Sequence, residues 1–361
     1  MTATTTATTA HVNSLTTGQL PKWAPWAILL GSWVLVGGVF ALMNTGGDPG
    51  DFNVGGTMFL GTVLFVVLLT VFSTVAENRR KAMDRLVTAL VVSAFVVVLI
   101  PLASLLYTVL INGLTRFDAE FFSSSMRNII GEGGGAVHAV WGTLLITLGA
   151  TVISVPIGLM TSIYLVEYGR GRLAKAITFL VDVMTGIPSI VAGLFASAVF
   201  VAFFEPGIRM GIAGSVALSV LMIPVVVRSS EEMLRLVPNE LREASYALGV
   251  PKWLTIMKVV LPTSIAGITT GVTLAISRVI GETAPLLLTA GITQGLNTNL
   301  FSGQMTTLPV FVYTQYRSPG MYPDEAIARA WAGALTLILI VMVLNLVARL
   351  VAKIFAPKLG R

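Results

Sequence analysis

Glu243-Ala244-Ser245-Tyr246-Ala247-Leu248-Gly249, followed by Val259-Val260-Leu261-Pro262, lies in a polar segment between long apolar runs. Around it, residues 229–258 predict two short helices. Ser230 is placed to cap the first, with Glu231 and Glu232 in an opening turn where the helix dipole favours negative charge. Pro238 interrupts the run and suits the first turn of a second helix over Asn239–Leu248. On that helix Leu241, Ala244, Ser245 and Leu248 recur at i, i+3, i+4 spacing and share one stripe. Gly249 ends it by allowing a left-handed backbone, and Pro251 opens the next turn. A short amphipathic helix of this kind either shields the base of a membrane bundle or enters a groove of a soluble subunit.

The runs on either side are long enough to cross a bilayer, which takes about 20 residues per helix. Eight spans are predicted, near 24–43, 56–76, 86–111, 139–166, 175–204, 211–229, 259–289 and 327–353. The expected fold class is an all-α integral membrane protein with about eight transmembrane helices. Composition agrees, since 55% of the 361 residues are apolar and only 11% are charged, where soluble domains carry roughly a quarter charged. The absence of cysteine excludes disulfide and thiolate chemistry. With the two histidines far apart, no metal site is expected.

Residues 1–22 are rich in threonine and alanine and read as a disordered tail. Residues 23–85 add two N-terminal spans to a core over 86–356. No basic n-region precedes the Trp26–Leu42 run, so an uncleaved first span is expected rather than a signal peptide.

Lysine and arginine mark the cytoplasmic side of membrane proteins. One set of connecting segments holds Lys22; Arg79, Arg80, Lys81 and Arg85; Arg170, Arg172 and Lys175; Arg228, Arg235, Arg242, Lys252 and Lys258; then Arg349, Lys353, Lys358 and Arg361. The other set holds Arg116, Arg127, Arg209, Arg317 and Arg329. This asymmetry places both termini in the cytoplasm. It also accounts for the net charge of +6 without nucleic acid. On the opposite side, residues 112–138 contain Phe117, Phe121, Phe122 and Gly131-Glu132-Gly133-Gly134-Gly135. Residues 290–326 end in Arg317-Ser318-Pro319-Gly320-Met321-Tyr322-Pro323. These are either a surface for an extracytoplasmic partner or plain connectors.

Arg278 and Glu282 fall inside the seventh predicted span. A charge at mid-bilayer costs about 2.5–3.5 kcal/mol on insertion scales, so it must face protein or a water-filled path. Four residues apart on one helix face, the two can neutralise each other. Alternatively, Arg278 can bind an oxyanion through its planar fork, with Glu282 holding it in the empty site or accepting from a protonated anion. Asp182 sits near the cytoplasmic face of the fifth span, which favours an interfacial role. Prolines at 156, 188, 224 and 285 mark four central spans and free backbone carbonyls. Gly267-x-x-x-Gly271 favours close helix packing.

The spacing of Glu243-Ala244-Ser245, Gly249, Val259 and Leu261-Pro262 resembles the signature of ABC importer permeases: Glu-Ala-Ala, three residues, Gly, nine residues, Ile, one residue, Leu-Pro. Ser245 replaces alanine and Val259 replaces isoleucine. The resemblance implies that Asn239–Gly249 is a coupling helix, with Arg242, Glu243, Ala244, Ser245 and Gly249 as ATPase-coupling residues and Glu243 near a basic residue of the ATPase. No Gly-x-x-x-x-Gly-Lys-Ser/Thr loop occurs, so the ATP site is expected on another polypeptide and no cofactor here.

A narrower resemblance spans roughly Gly131 to Lys353. Glu132-Gly133-Gly134-Gly135, Ile163-Tyr164-Leu165-Val166-Glu167-Tyr168-Gly169 and Pro188-Ser189-Ile190-Val191-Ala192-Gly193-Leu194-Phe195 carry it. So do Leu236-Val237-Pro238, Gly281-Glu282-Thr283-Ala284-Pro285-Leu286-Leu287 and Ala330-Trp331-Ala332-Gly333. Together they resemble the PstA-type permeases of phosphate-specific ABC importers. That resemblance implies a type I permease core of six helices, to which this chain adds two at its N-terminus. It implies a multi-pass subunit of a bacterial cytoplasmic membrane, with a PstC-type sister permease, an ATPase dimer and an extracytoplasmic phosphate-binding protein as partners. It also implies that Arg278 and Glu282 contact the phosphate. Two other readings stand beside it: a permease for another oxyanion, and an ion-coupled secondary anion transporter, which leaves the coupling-helix spacing without a reason.

Overall fold

The computed structural model describes residues 20–21, 23–43 and 53–355. The predicted tail over 1–22 lies almost wholly outside the described residues. Among them the chain is helical, in the order α1 (Ala24–Met43), α2 (Val54–Ala76), α3 (Arg79–Leu114), α4 (Ala119–Ser123), α5 (Val137–Ile163), α6 (Gly171–Thr185) and α7 (Ser189–Phe203). Then come α8 (Gly211–Arg235), α9 (Asn239–Ala247), α10 (Lys252–Thr255), α11 (Leu261–Val279), α12 (Ala284–Thr289), α13 (Leu308–Arg317) and α14 (Pro323–Phe355). Two π-helical turns, Tyr164–Tyr168 and Ile256–Val260, extend α5 and lead into α11. Seven helices among the described residues are long and apolar enough to cross a membrane, or eight if the bent pair α6–α7 is one span.

Three sequence expectations change. The predicted span 175–204 is broken: α6 and α7 meet at 109° around Gly186-Ile187-Pro188. Pro188 has no N–H to donate and pushes the preceding residue away from helical angles. The predicted span 259–289 also stops early, because α11 ends at Val279 and Pro285 starts the separate helix α12. Finally, Ser230 caps nothing. α8 continues through it to Arg235, Ser230 is buried with its hydroxyl unpartnered among the described residues, and Glu231 is held by Arg228 and Arg235 at 2.9 and 2.6 Å. A helix continuing from a span keeps backbone bonds that a restart at Ser230 would forfeit.

The chain divides into two compact units, Met1–Leu106 and Tyr107–Arg361, with α3 running across the division. In the first unit α1 and α2 pack together at Gly61, where a side chain would overlap the ring of Trp33. Glu77 closes α2. Its buried carboxylate accepts from Ser73 Oγ at 2.7 Å, Leu20 N at 2.8 Å and Arg85 at 2.8 Å. Burial works against the charged form, yet these hydrogen bonds win and hold Glu77 below the usual carboxylate range.

In the second unit the core is built from α5, α8 and α11, around Ile146, Leu218, Met222, Val226, Ala275 and Val279. Lipid is as apolar as leucine, so membrane helices gain by close packing and interhelical hydrogen bonds rather than by hiding from water. Small residues supply the approach. Gly158 of α5 lies under Val226 of α8, and Gly271 of α11 lies under the hydroxyl of Ser229. Ser215 of α8 donates to the carbonyl oxygen of Ile146 at 3.0 Å. Such bonds average about 0.6 kcal/mol each. The aromatic residues of 112–138 are part of a packed layer: Phe121 is fully buried and meets Phe122 and Phe311 edge-on.

Candidate functional site

Pro238 enters α9 with extended ψ of 142°, and Glu240 occupies the first turn, where the dipole favours it. Gly249 leaves the helix at φ +75° and donates to Tyr246 O at 2.9 Å. That conformation is open to glycine and strained for other residues. The expected stripe divides: Ser245 is buried and bonds Thr255 Oγ1 at 2.8 Å, while Leu241 and Leu248 remain exposed. Glu243, Ala244 and Gly249 share the exposed side, and Trp253 and Met257 beside them are exposed as well.

Arg242 turns inward. Its side chain, 12% exposed, reaches Glu167 Oε1 through Nε at 3.0 Å and NH2 at 2.9 Å. The same guanidinium donates to Leu234 O at 2.9 Å, Val237 O at 2.5 Å and Asn239 Oδ1 at 3.3 Å. Carbonyls at the end of α8 have no helical partners, and a cation there also suits the dipole. Lys252 donates to the carbonyl oxygen of Glu167 and sits 4.8 Å from the Tyr168 ring centre. Glu167 appears in the sequence as one carboxylate in an apolar run, with nothing to indicate its partner 75 residues away. Asp182, Arg228, Glu231 and Arg235 form a second chain of ion pairs joining α6 to α8. The sequence suggests an interfacial Asp182, which is exposed, and places Glu231 in the opening turn of a separate helix, whereas it is buried inside α8.

At the far end of α11, Arg278 occupies the last helical turn and is exposed. Among the described residues it makes no hydrogen bond or ion pair. Glu282 lies beyond the helix end, half-buried, its N–H on Val279 O at 3.1 Å. The shared helix face expected for Arg278 and Glu282 is therefore absent, because Gly281 and Pro285 break the helix between and after them. Beside the break, Pro285 packs on Gly193 of α7. α11 has 19 residues and so spans about 28 Å, with the α9–α10 segment at one end and Arg278 at the other. A guanidinium offers a planar fork of donors that matches a carboxylate or a tetrahedral oxyanion.

Residues 154–361 match the family described as binding-protein-dependent transport system inner membrane component. A Mycobacterium tuberculosis protein named phosphate transport system permease protein PstA 1 is 46% identical over 280 residues, 76% of this chain and 90% of its own length. The protein named PstA from Yersinia pestis is 40% identical over 293 residues, 79% of this chain and 96% of its own. The chain belongs to the PstA-type permeases of this family. A solved structure of the MetNI methionine ABC transporter, in inward-facing conformations, aligns with 61% of this permease and 96% of its own chain at a TM-score of 0.51. At 21% identity that likeness speaks for the type I permease fold alone. In this PstA-type permease the signature glutamate Glu243 is exposed, whereas its neighbours Arg242 and Ser245 are turned into the protein.

Proposed function

We propose that this chain is the transmembrane permease subunit of an ATP-driven, binding-protein-dependent phosphate importer, working by alternating access. The 46% identity to a PstA protein over 90% of its length carries the reading. The exposed side of α9, with Leu241, Glu243, Ala244 and Leu248, is the knob offered to a separate ATPase dimer. A PstC-type sister permease completes the pathway, and an extracytoplasmic phosphate-binding protein delivers the anion. The lysine and arginine asymmetry supports cytoplasmic termini in a bacterial plasma membrane. This subunit hydrolyses nothing and needs no cofactor, ATP being held by the partner.

Arg278, with no partner among the described residues, is assigned to the phosphate, and Glu282 to the same site across the helix break. ATP binding closes the motor, α9 follows it, and the helices tilt so that the Arg278 region opens outward. Hydrolysis returns it to face the cytoplasm. Labelled phosphate uptake by proteoliposomes holding this chain, the sister permease and the ATPase tests the whole assignment. Uptake requiring both ATP and binding protein is expected. ATP-independent uptake points to an ion-coupled secondary transporter, and ATP-driven uptake of a different oxyanion moves only the ligand.

A further inference from the structure

α9 is fastened to the transmembrane bundle at two polar points, and each adjoins a π-helical turn. Ser245 bonds Thr255, the residue immediately before the turn Ile256–Val260 that leads into α11. Arg242 bonds Glu167 within the turn Tyr164–Tyr168 that ends α5, where Gly169 N closes on Tyr164 O at 2.5 Å. Among the described residues, Arg242–Glu167 is the one hydrogen-bonded link from α9 directly to that segment. Single π turns inside α-helices occur frequently at functional sites.

A buried ion pair is a poor device for stability alone, because desolvation offsets much of the attraction. What it adds is geometry. The guanidinium is planar, its donors are fixed in a fork, and it is shared between Glu167 and the carbonyls of Leu234, at the end of α8, and Val237, just beyond it. Glu167, 5% exposed, is in turn held at its own carbonyl by Lys252. An apolar contact would let α9 slide or roll against α5, whereas this arrangement admits one register.

We propose that Glu167 is a positioning residue that locks α9 to α5, so that displacement of α9 by the motor moves α5 as well as α11. The proposal rests on the permease reading above. It assigns Arg242 to the inner side of the coupling device, not to the surface that meets the ATPase.

The test is phosphate imported per ATP hydrolysed, in the reconstituted complex. Glu167→Gln is expected to lower that ratio about tenfold, within the range by which residues along a coupling path act. Arg242→Lys should also lower it, since a point charge cannot replace the fork. The chain has no cysteine, so Glu167→Cys/Arg242→Cys can be bridged by a bifunctional thiol reagent, and bridging should restore the ratio. A wild-type ratio in Glu167→Gln overturns the proposal, as does a parallel fall of import and hydrolysis. If Glu167→Gln does not assemble, the bridged pair decides, and a ratio still low after bridging counts against the lock. A spin label at exposed Ala247 gives a readout free of transport: it should gain mobility in Glu167→Gln. Should the wild-type complex fail to import phosphate, the functional reading falls while the label still decides the lock.

Discussion

Arg329 of α14 donates to the carbonyl oxygens of Gly131 at 2.8 Å and Gly133 at 3.1 Å, pinning a glycine loop that precedes α5. Arg116 does the same for Gly134 O at 3.0 Å. Gly131, Gly133 and Gly134 all have positive φ, which turns their carbonyls in sequence-specific directions that the arginines then satisfy. Arg329 is 4% exposed, so its removal leaves buried acceptors without donors. Arg329→Ala should destabilise the protein by about 3 kcal/mol, the scale for losing charged hydrogen bonds. Thermal melting of the solubilised protein, with Arg329→Lys as the conservative comparison, measures it. An unchanged melting temperature would remove the arginine from the support of this loop.

Arg278 makes the opposite case. It has no partner within the described residues, so Arg278→Ala should leave stability within about 0.5 kcal/mol of the wild type. Phosphate uptake should nevertheless fall about a hundredfold or more, if a bidentate charged contact to the anion is lost. Normal uptake would remove Arg278 from the phosphate site.

Gly249→Pro should separate ATP hydrolysis from uptake. Proline holds φ near −65°, against the +75° observed, and lacks the N–H that Gly249 places on Tyr246 O. The end of α9 must then be rebuilt, moving Glu243 and Leu248 relative to the rest of the bundle. Parallel assays of hydrolysis and uptake in proteoliposomes check this; an intact ratio would sink the docking role of α9.

Acid should loosen the segment before α5. The N–H of Phe121, above all, and then Arg116 hold the Asp118 carboxyl below its usual range. Asp118 also caps α4. A depressed carboxylate contributes its stability in full above the unfolded value of about 3.9 and loses it as pH falls through the folded value. The stability difference between the wild type and Asp118→Ala should therefore shrink steadily as pH drops below the ordinary aspartate range. A constant difference across an acid titration would contradict the cap.

Much of the core was legible from one dimension. Apolar runs located the spans, Pro238 and Gly249 bracketed α9, and Gly267 and Gly271 do pack closely, on Met233 and Ser229 of α8. The errors concern where a helix stops. Ser230 has the chemistry of a cap but lies in a helix that had no reason to end, and Pro285 marked a break that hydropathy runs straight through.

What the sequence determined by itself is therefore local: which segments are apolar enough to leave water, where a helix lacks a donor or needs a left-handed residue, and which charges lie in apolar surroundings. Those properties depend on a residue and its near neighbours. Only the tertiary structure decided that Arg242 faces Glu167, that Ser245 faces Thr255, that α6 and α7 bend by 109°, and that Arg278 has no partner among the described residues. The direction of a side chain is set by what distant chain segments bring against its helix. In a membrane, where lipid and protein are equally apolar, hydropathy carries no record of that choice.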